Sequence, residues 1–453
     1  MTVSSQPLRA GGAESLHGNS HYLQAISATH RSLRLRAAIY SEAGDCLAQP
    51  GAQMDKALYM ALVHQNLRRP IDEAIELPDP VDIPTIEVEA MTQCEALPLG
   101  RMLMRALGSN HQWQLLAPLS DMVWPWHASF KMTVMRSQRP ALYAHSLTMM
   151  LVAIYLGVCE GLSEEEMALL APAALLHDSG MLFFDASWAD PNHTLSQEDR
   201  ALLATHSLIA MQIVREAGYP QPVQMAVLEH HEHMDGSGYP RNAAGEAISA
   251  MGRILMLAEV VAAFFDKYAG DLPGLRLSLM LRLNRRRYSP NLLAHVHELL
   301  RHAPGAVQAD TRPVAAEVRQ SLVQLTMLIE HWKRRREQLP AKWQLLPTGR
   351  AGLFLTVRIA SLEISLAEAG SLPQQQIAML HLMRADPSSL TEQALINGEA
   401  LWQLQSFIHT CLRRWPQVQA RQDEAAQAVA DWIKQAQVVL AGKRPGGRPA
   451  FFP

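Results

Sequence analysis

The spacing of apolar and polar positions changes along the chain, and the changes divide it. The stretch Leu33 to Tyr40 begins with apolar residues alternating with arginines (Leu33-Arg34-Leu35-Arg36), the two-residue period of a half-buried strand. Gly44 and Gly51 then mark turns, and Met54 to Asn66 takes up helical spacing. Short strands around glycine turns, followed by one helix, predict a small mixed α/β module over 31–85. The proline-rich passage Leu77-Pro78-Asp79-Pro80-Val81-Asp82-Ile83-Pro84 reads as a linker, and 86–135 as a helical connector.

From there the pattern is helical nearly throughout. Ser163 with Glu166 three positions later is a capping box, opening a helix that runs to His177. Ser196 and Asp199 repeat the signal ahead of the helix expected to carry His206, and Pro220 and Pro222 open the one bearing His230 and His231. The runs Leu147 to Cys159 and Ile254 to Phe265 are too short or too interrupted by charge to span a bilayer. They read as buried helices, and no membrane segment is expected. After Pro304 helical spacing continues through Val318–Glu337, Gly352–Ala369, Gln374–Met383 and Asp423–Leu440. The expected fold class is therefore mainly α, with a helical C-terminal region over 304–440. The ends, 1–30 and 441–453, carry no periodic apolar pattern and read as disordered.

Composition narrows the function classes. A chain of 453 residues with 48% hydrophobic and 18% charged positions has enough apolar residues for two or three domains. A net charge of -3 gives no support to a general nucleic-acid or polybasic membrane binder. The clusters Arg285-Arg286-Arg287 and Lys333-Arg334-Arg335-Arg336 read as solvated helix faces, so no nucleic-acid partner is expected. Trp124-Pro125-Trp126 reads as packing between the N-terminal region and the helical core. Cys46, Cys94, Cys159 and Cys411 form no CxxC pair, which fits a reducing cytoplasm. There is neither a phosphate-binding G-x-x-x-x-G-K-[ST] loop nor a nucleophile-elbow serine.

The candidate chemistry lies in two ligand-rich clusters. One is Leu175-Leu176-His177-Asp178-Ser179-Gly180, closing an apolar helical run. The other is Glu229-His230-His231-Glu232-His233-Met234-Asp235-Gly236-Ser237-Gly238-Tyr239-Pro240. Imidazole and carboxylate are the natural ligands of a hydrolytic transition-metal site. Neighbouring helical residues point about 100° apart, so each adjacent pair must sit at a helix end or serve two neighbouring ions. Any one of these histidines alone would more often be an ordinary core or surface residue. Glu259 inside its apolar run is different, because an unpaired carboxylate would be costly to bury there.

Taken together these segments resemble the HD-GYP family, metal-dependent phosphohydrolases that degrade cyclic di-GMP. His177-Asp178 matches the HD element and Gly238-Tyr239-Pro240 the GYP element, with His145 ahead of them and His206 between. Arg253-Ile254-Leu255-Met256-Leu257-Ala258-Glu259 matches the final ligand helix, with a Glu where the family usually has Asp. The resemblance implies an HD-type helical bundle core over 136–303 with catalytic residues His177 and Asp178. It implies two divalent metal ions, iron or manganese, bridged by Asp178. His145, His177 and Glu259 would complete one ion, and His206, His230 and His231 the other. Asp235, Gly238, Tyr239, Pro240, Arg253 and Lys267 would stand against the substrate or behind the ligands. A cyclic dinucleotide is the implied substrate, and the C-terminal helices would suit a protein partner or self-association.

The chain also departs from the family. Met181 stands where the HDxGK motif has a phosphate-facing lysine, and a thioether carries no charge. Ala141 stands where members with a third metal carry Glu. The basic residues after the last ligand helix are reduced to Lys267 beside Asp266. Two readings follow: a cyclic-dinucleotide phosphodiesterase, or a catalytically weak or inactive relative acting as a signalling scaffold or nucleotide-binding protein.

Overall fold

The computed structural model describes residues 34–69, 71–77, 79–189, 196–269, 272–302, 315–383 and 387–441. The ends expected to be disordered, 1–30 and the tail from 442, lie outside these residues. The described residues form two compact units: one running to Ser187 and including Leu202–Ala262, the other made of Trp188–Ala201 and everything from Ala263.

The first unit begins with two small antiparallel ribbons. In one, β1 (Arg34–Leu35) pairs with the later strand Ile75–Glu76; in the other, β2 (Ile39–Tyr40) pairs with β3 (Cys46–Ala48). Between them lies α1 (Lys56–Val63), started by Asp55, whose Oδ1 accepts from Leu58 N at 2.7 Å. The strand Ile75–Glu76 is β4. Leu35, Ile39 and Ile75 are buried while Arg34, Arg36, Tyr40 and Glu76 are exposed, so the alternation seen in sequence around Leu35 is an alternation of faces.

The proline-rich passage is not a free linker. Val81 is fully buried: its N–H donates to Thr133 Oγ1 at 2.8 Å, and its carbonyl accepts from Ser129 Oγ and Trp124 Nε1. Asp82 then caps α2 (Ile83–Ala96) through Thr85 N. The stretch expected as a connector folds as α2, α3 (Pro98–Leu107), α4 (His111–Ser120) and α5 (Trp126–Gln138). All four pack on α6 (Pro140–Glu160), because apolar positions on each need a partner surface.

Every residue of α6 from His145 to Gly157 is buried. At 21 residues and a mean hydropathy of 1.7, α6 is long and apolar enough to cross a membrane, longer than the apolar run in the sequence suggested. Yet 83% of its most apolar window is buried within the protein, which makes it a central core helix here. Gly161 in the left-handed conformation ends α6. The Ser163–Glu166 capping box then opens α7 (Glu164–Leu176) as expected. The Ser196–Asp199 pair forms reciprocal hydrogen bonds of 3.0 Å, but they open the short α8 (Gln197–Leu203). His206 instead starts a separate helix, α9 (His206–Glu216), followed by α10 (Gln221–Glu229). The helix α11 (Ala250–Lys267) contains the boundary between the two units.

The second unit is helical: α12 (Pro273–Leu283), α13 (Pro290–Leu300), α14 (Ala315–Glu337), α15 (Gly349–Glu368), α16 (Pro373–Met383), α17 (Pro387–Arg414) and α18 (Glu424–Ala441). Its core joins Leu325, Trp332, Leu355, Leu404 and Trp432. The two tryptophan rings meet edge to face at 5.9 Å, and Trp432 Nε1 donates to Leu328 O. The basic clusters find partners inside this unit: Arg285 and Arg286 with Glu368, Lys333 with Glu330 and Glu363, and Arg335 with Asp431.

Candidate metal centre

The seven expected ligand positions converge in the first unit, and none is more than 7% exposed. Helix ends bring the adjacent pairs together. His177 caps the C-terminal end of α7 and Asp178 precedes a 3-10 turn, Ser179–Phe183. His230 closes α10 and His231 follows it. His206 opens α9, while His145 and Glu259 project from within α6 and α11. Gly180 is required for this meeting, because a Cβ there would overlap the His206 carbonyl.

The side chains fall into two groups sharing Asp178: one with His206, His230 and His231, the other with His145 and His177. Asp178 Oδ1 lies 3.2 Å from His206 Nε2 and 3.6 Å from His230 Nε2, while Oδ2 lies 3.5 Å from His177 Nε2. Glu259 Oε2 sits 2.8 Å from His145 Nε2 and 3.3 Å from His177 Nε2, which places it with the second group.

Hydrogen bonding sets the orientation of three of the rings. His177, His206 and His230 each use Nδ1 against a backbone carbonyl three residues earlier: Ala174, Leu203 and Val227, at 2.6–2.7 Å. A carbonyl can only accept, so each Nδ1 carries a proton and each Nε2 is turned inward. This outer bond is the usual orienting device of a metal-bound histidine. His206 Nε2 then lies 3.2 Å from His230 Nε2 and 3.0 Å from His231 Nε2. Asp178 Oδ1, His177 Nε2 and Glu259 Oε1 are buried and make no hydrogen bond among the described residues. Converging ring nitrogens and carboxylate oxygens of this kind fit a cation between them.

Charge follows the same division. Burial alone would raise the Asp178 and Glu259 carboxyls, but the imidazoles around them hold both well below the ordinary carboxylate range. Burial also opposes a charge on His177, yet Asp178 and Glu259 raise it to about 9. His230 is lowered by burial, and His231 still further by burial and by its neighbours His230 and His206.

The loop after His231 closes over this cluster. Gly238 packs so tightly on the backbone of His231 and Glu232 that any Cβ would collide. Tyr239 N donates to His231 O, and the Tyr239 ring stacks on the His231 ring at 4.8 Å and 23°. The Tyr239–Pro240 peptide is cis. Asp235, expected to orient a ligand, is exposed, and its Oδ1 accepts from Ser237 N to form the turn. His233 Nδ1 meets Ser237 Oγ at 2.9 Å. Arg253 forks onto Glu246 with two 2.9 Å bonds. Lys267 belongs to the second unit, above the Tyr268 ring, with its pKa lowered by burial to about 8.

Sequence reasoning missed the residues that hold the loop. Glu229 is buried; its carboxylate accepts from Arg241, from Ser249 N at 2.9 Å and from Ser249 Oγ at 2.6 Å. Glu232, equally buried, accepts from Arg241 N and Ala243 N, and burial raises its carboxyl. The end of α10, the glycine-rich loop and the start of α11 are thereby tied together. Two glutamates bracketing the histidine pair at an apolar helix end were the available signal, since buried carboxylates need donors.

Parts of the chain are similar to known proteins. Residues 131–291 match the HD domain family, and this segment is an HD domain. A cyclic di-GMP phosphodiesterase, PdeB, of Borreliella burgdorferi is 27% identical over 26% of this chain and 31% of its own. The cyclic di-GMP phosphodiesterase response regulator RpfG of Xanthomonas campestris pv. campestris is 34% identical over 23% of this chain and 29% of its own. The 3'3'-cGAMP-specific phosphodiesterase 3 of Vibrio cholerae is 30% identical over 31% of this chain and 28% of its own. The matched stretch thus spans under a third of each relative. Among solved structures, Bd1817, a HDG"Y"P protein from Bdellovibrio bacteriovorus, aligns over 61% of this chain and 97% of its own at 14% identity. Its TM-score of 0.32 marks a slight likeness.

Proposed function

We propose that this HD domain is a metal-dependent phosphodiesterase of cyclic dinucleotides, with cyclic di-GMP as its substrate. One observation carries the reading: Asp178 presents one oxygen to His206 and His230 and the other to His177, as a carboxylate shared by two cations would. His145, His177 and Glu259 would hold one divalent ion with Asp178, and His206, His230 and His231 the other. Iron or manganese suits this mixed imidazole and carboxylate set. Two such ions, when bound, would supply Lewis acidity toward the phosphoryl group and a nucleophile at neutral pH.

The chain's own residues do the rest. The carbonyls of Ala174, Leu203 and Val227 keep three Nε2 atoms turned inward before any ligand arrives. Burial of all seven side chains keeps bulk water from screening the charges. Tyr239, stacked on His231, fixes the loop beside the position a phosphodiester would take. The test is hydrolysis of cyclic di-GMP by metal-loaded protein, compared with the His177→Ala/Asp178→Ala double variant.

Met181 favours a second reading. Its buried thioether leaves the phosphate without the lysine of the family motif, so a scaffold that binds metal or nucleotide without turnover is the alternative. In that case the second unit would make the protein contacts or self-associate; Leu353, Val357 and Ile364 on α15 are exposed apolar positions there. The four unpaired cysteines support a cytoplasmic location.

A further inference from the structure

A cavity in the first unit has no part in the metal centre. It measures about 810 Å³, inside the roughly 300–1,000 Å³ range of small-molecule sites. Its walls come from β1 to β2, from the segment following α1, from the start of α5 and from the end of α9. None of the seven residues grouped around Asp178 lines it.

Its lining is cationic and aromatic. The Arg36 guanidinium lies 4.0 Å over the Trp126 ring, and its Nε donates to Glu73 O at 2.8 Å. Those two contacts fix the guanidinium plane, while its terminal amino groups make no hydrogen bond among the described residues. The Arg68 side chain likewise has no partner among them. Tyr40, 42% exposed, adds a second aromatic face. Against these cations stand Glu73, which is 3.7 Å from Arg69 and 3.9 Å from His127, and Glu216.

From this arrangement we propose that the cavity is a binding site for a nucleoside monophosphate. The fixed Arg36 guanidinium, with free amino groups, matches phosphate oxygens in pairs, and Arg68 adds a second cation. A guanidinium stacked on indole, together with a tyrosine face, offers flat surfaces for a base. The carboxylates of Glu73 and Glu216 can accept from ring N–H and exocyclic amino groups. Their negative charge also opposes a polyphosphate, so one phosphate fits better than three.

The test is calorimetric titration of the full chain, treated with chelator, with GMP as probe. Saturable one-site binding is expected. Guanosine alone and inorganic phosphate alone should each bind at least about tenfold more weakly, since each lacks one half of the recognition. The Arg36→Ala/Arg68→Ala variant should weaken GMP by about 10- to 100-fold, the range for hydrogen bonds to a charged group. Arg68→Glu, at an exposed side chain without a partner, checks the same point free of any folding effect. Asp178→Ala should bind GMP as the wild type does. Absence of saturable binding, binding indifferent to both arginine variants, or binding lost with Asp178→Ala would overturn the proposal.

Discussion

His206 Nε2 lies 3.0 Å from His231 Nε2, and the His206 Nδ1 proton is already committed to the Leu203 carbonyl. Two imidazole nitrogens at that distance need a proton or a metal cation between them. With His230 Nε2 only 3.2 Å from the same atom, one shared proton cannot serve all three.

Metal content follows from that geometry. The purified protein should take up about two divalent ions per chain. Asp178→Ala should lose both together, and His206→Ala should chiefly weaken one. Elemental analysis and titration with manganese check this; a single ion retained in Asp178→Ala would contradict it.

Metal uptake should also depend on pH. With its pKa raised to about 9, His177 holds a proton at neutral pH, which an incoming cation must displace. Affinity should therefore rise with pH up to about 9 and level off above it, with protons released on binding at pH 7. Calorimetry in buffers of different ionisation enthalpy measures that release, and buffer-independent heats would show that His177 does not give up a proton.

Glu229 should matter to activity although it lies outside the ligand set. Glu229→Gln leaves an amide against the Ser249 and Arg241 donors, loosening the tie between α10, the loop and α11. Loss of about 10- to 100-fold in metal affinity or turnover is expected, the usual cost of disturbing a ligand's support. Glu246→Gln, at a side chain 85% exposed, serves as control and should change little.

Met181→Lys should raise turnover by lowering KM for cyclic di-GMP, because it restores a cation beside the phosphate. The measurement is KM and kcat side by side. High wild-type activity unchanged by the substitution would mean that another group supplies the charge.

Stability of the second unit should hinge on its paired tryptophans. Trp432→Ala removes a fully buried indole and its bond to Leu328 O, and should cost about 3–5 kcal/mol, read from the shift in the urea midpoint.

Much of the site was legible in the sequence. Adjacent His-Asp and His-His pairs must sit at helix ends or serve two neighbouring ions, and helix ends are where His177, Asp178, His230 and His231 lie. The Ser163 box was legible because a cap is a local interaction. The connector was not: α2 to α5 pack on α6 through contacts far apart in sequence, which periodicity cannot reveal. Arg253 looked available for substrate because its partner Glu246 lies in the preceding loop, and Asp235 because turn formation and ligand support both suit an aspartate there. Glu229 and Glu232 passed unnoticed because their donors, Arg241, Ala243 and Ser249, meet them only once the loop has folded back.

The most direct test compares hydrolysis of cyclic di-GMP by anaerobically iron- or manganese-loaded protein with that of the His177→Ala/Asp178→Ala variant. Metal-dependent turnover in the wild type that vanishes in the variant is the predicted result. Equal background rates in the two proteins would contradict the phosphodiesterase and leave the scaffold.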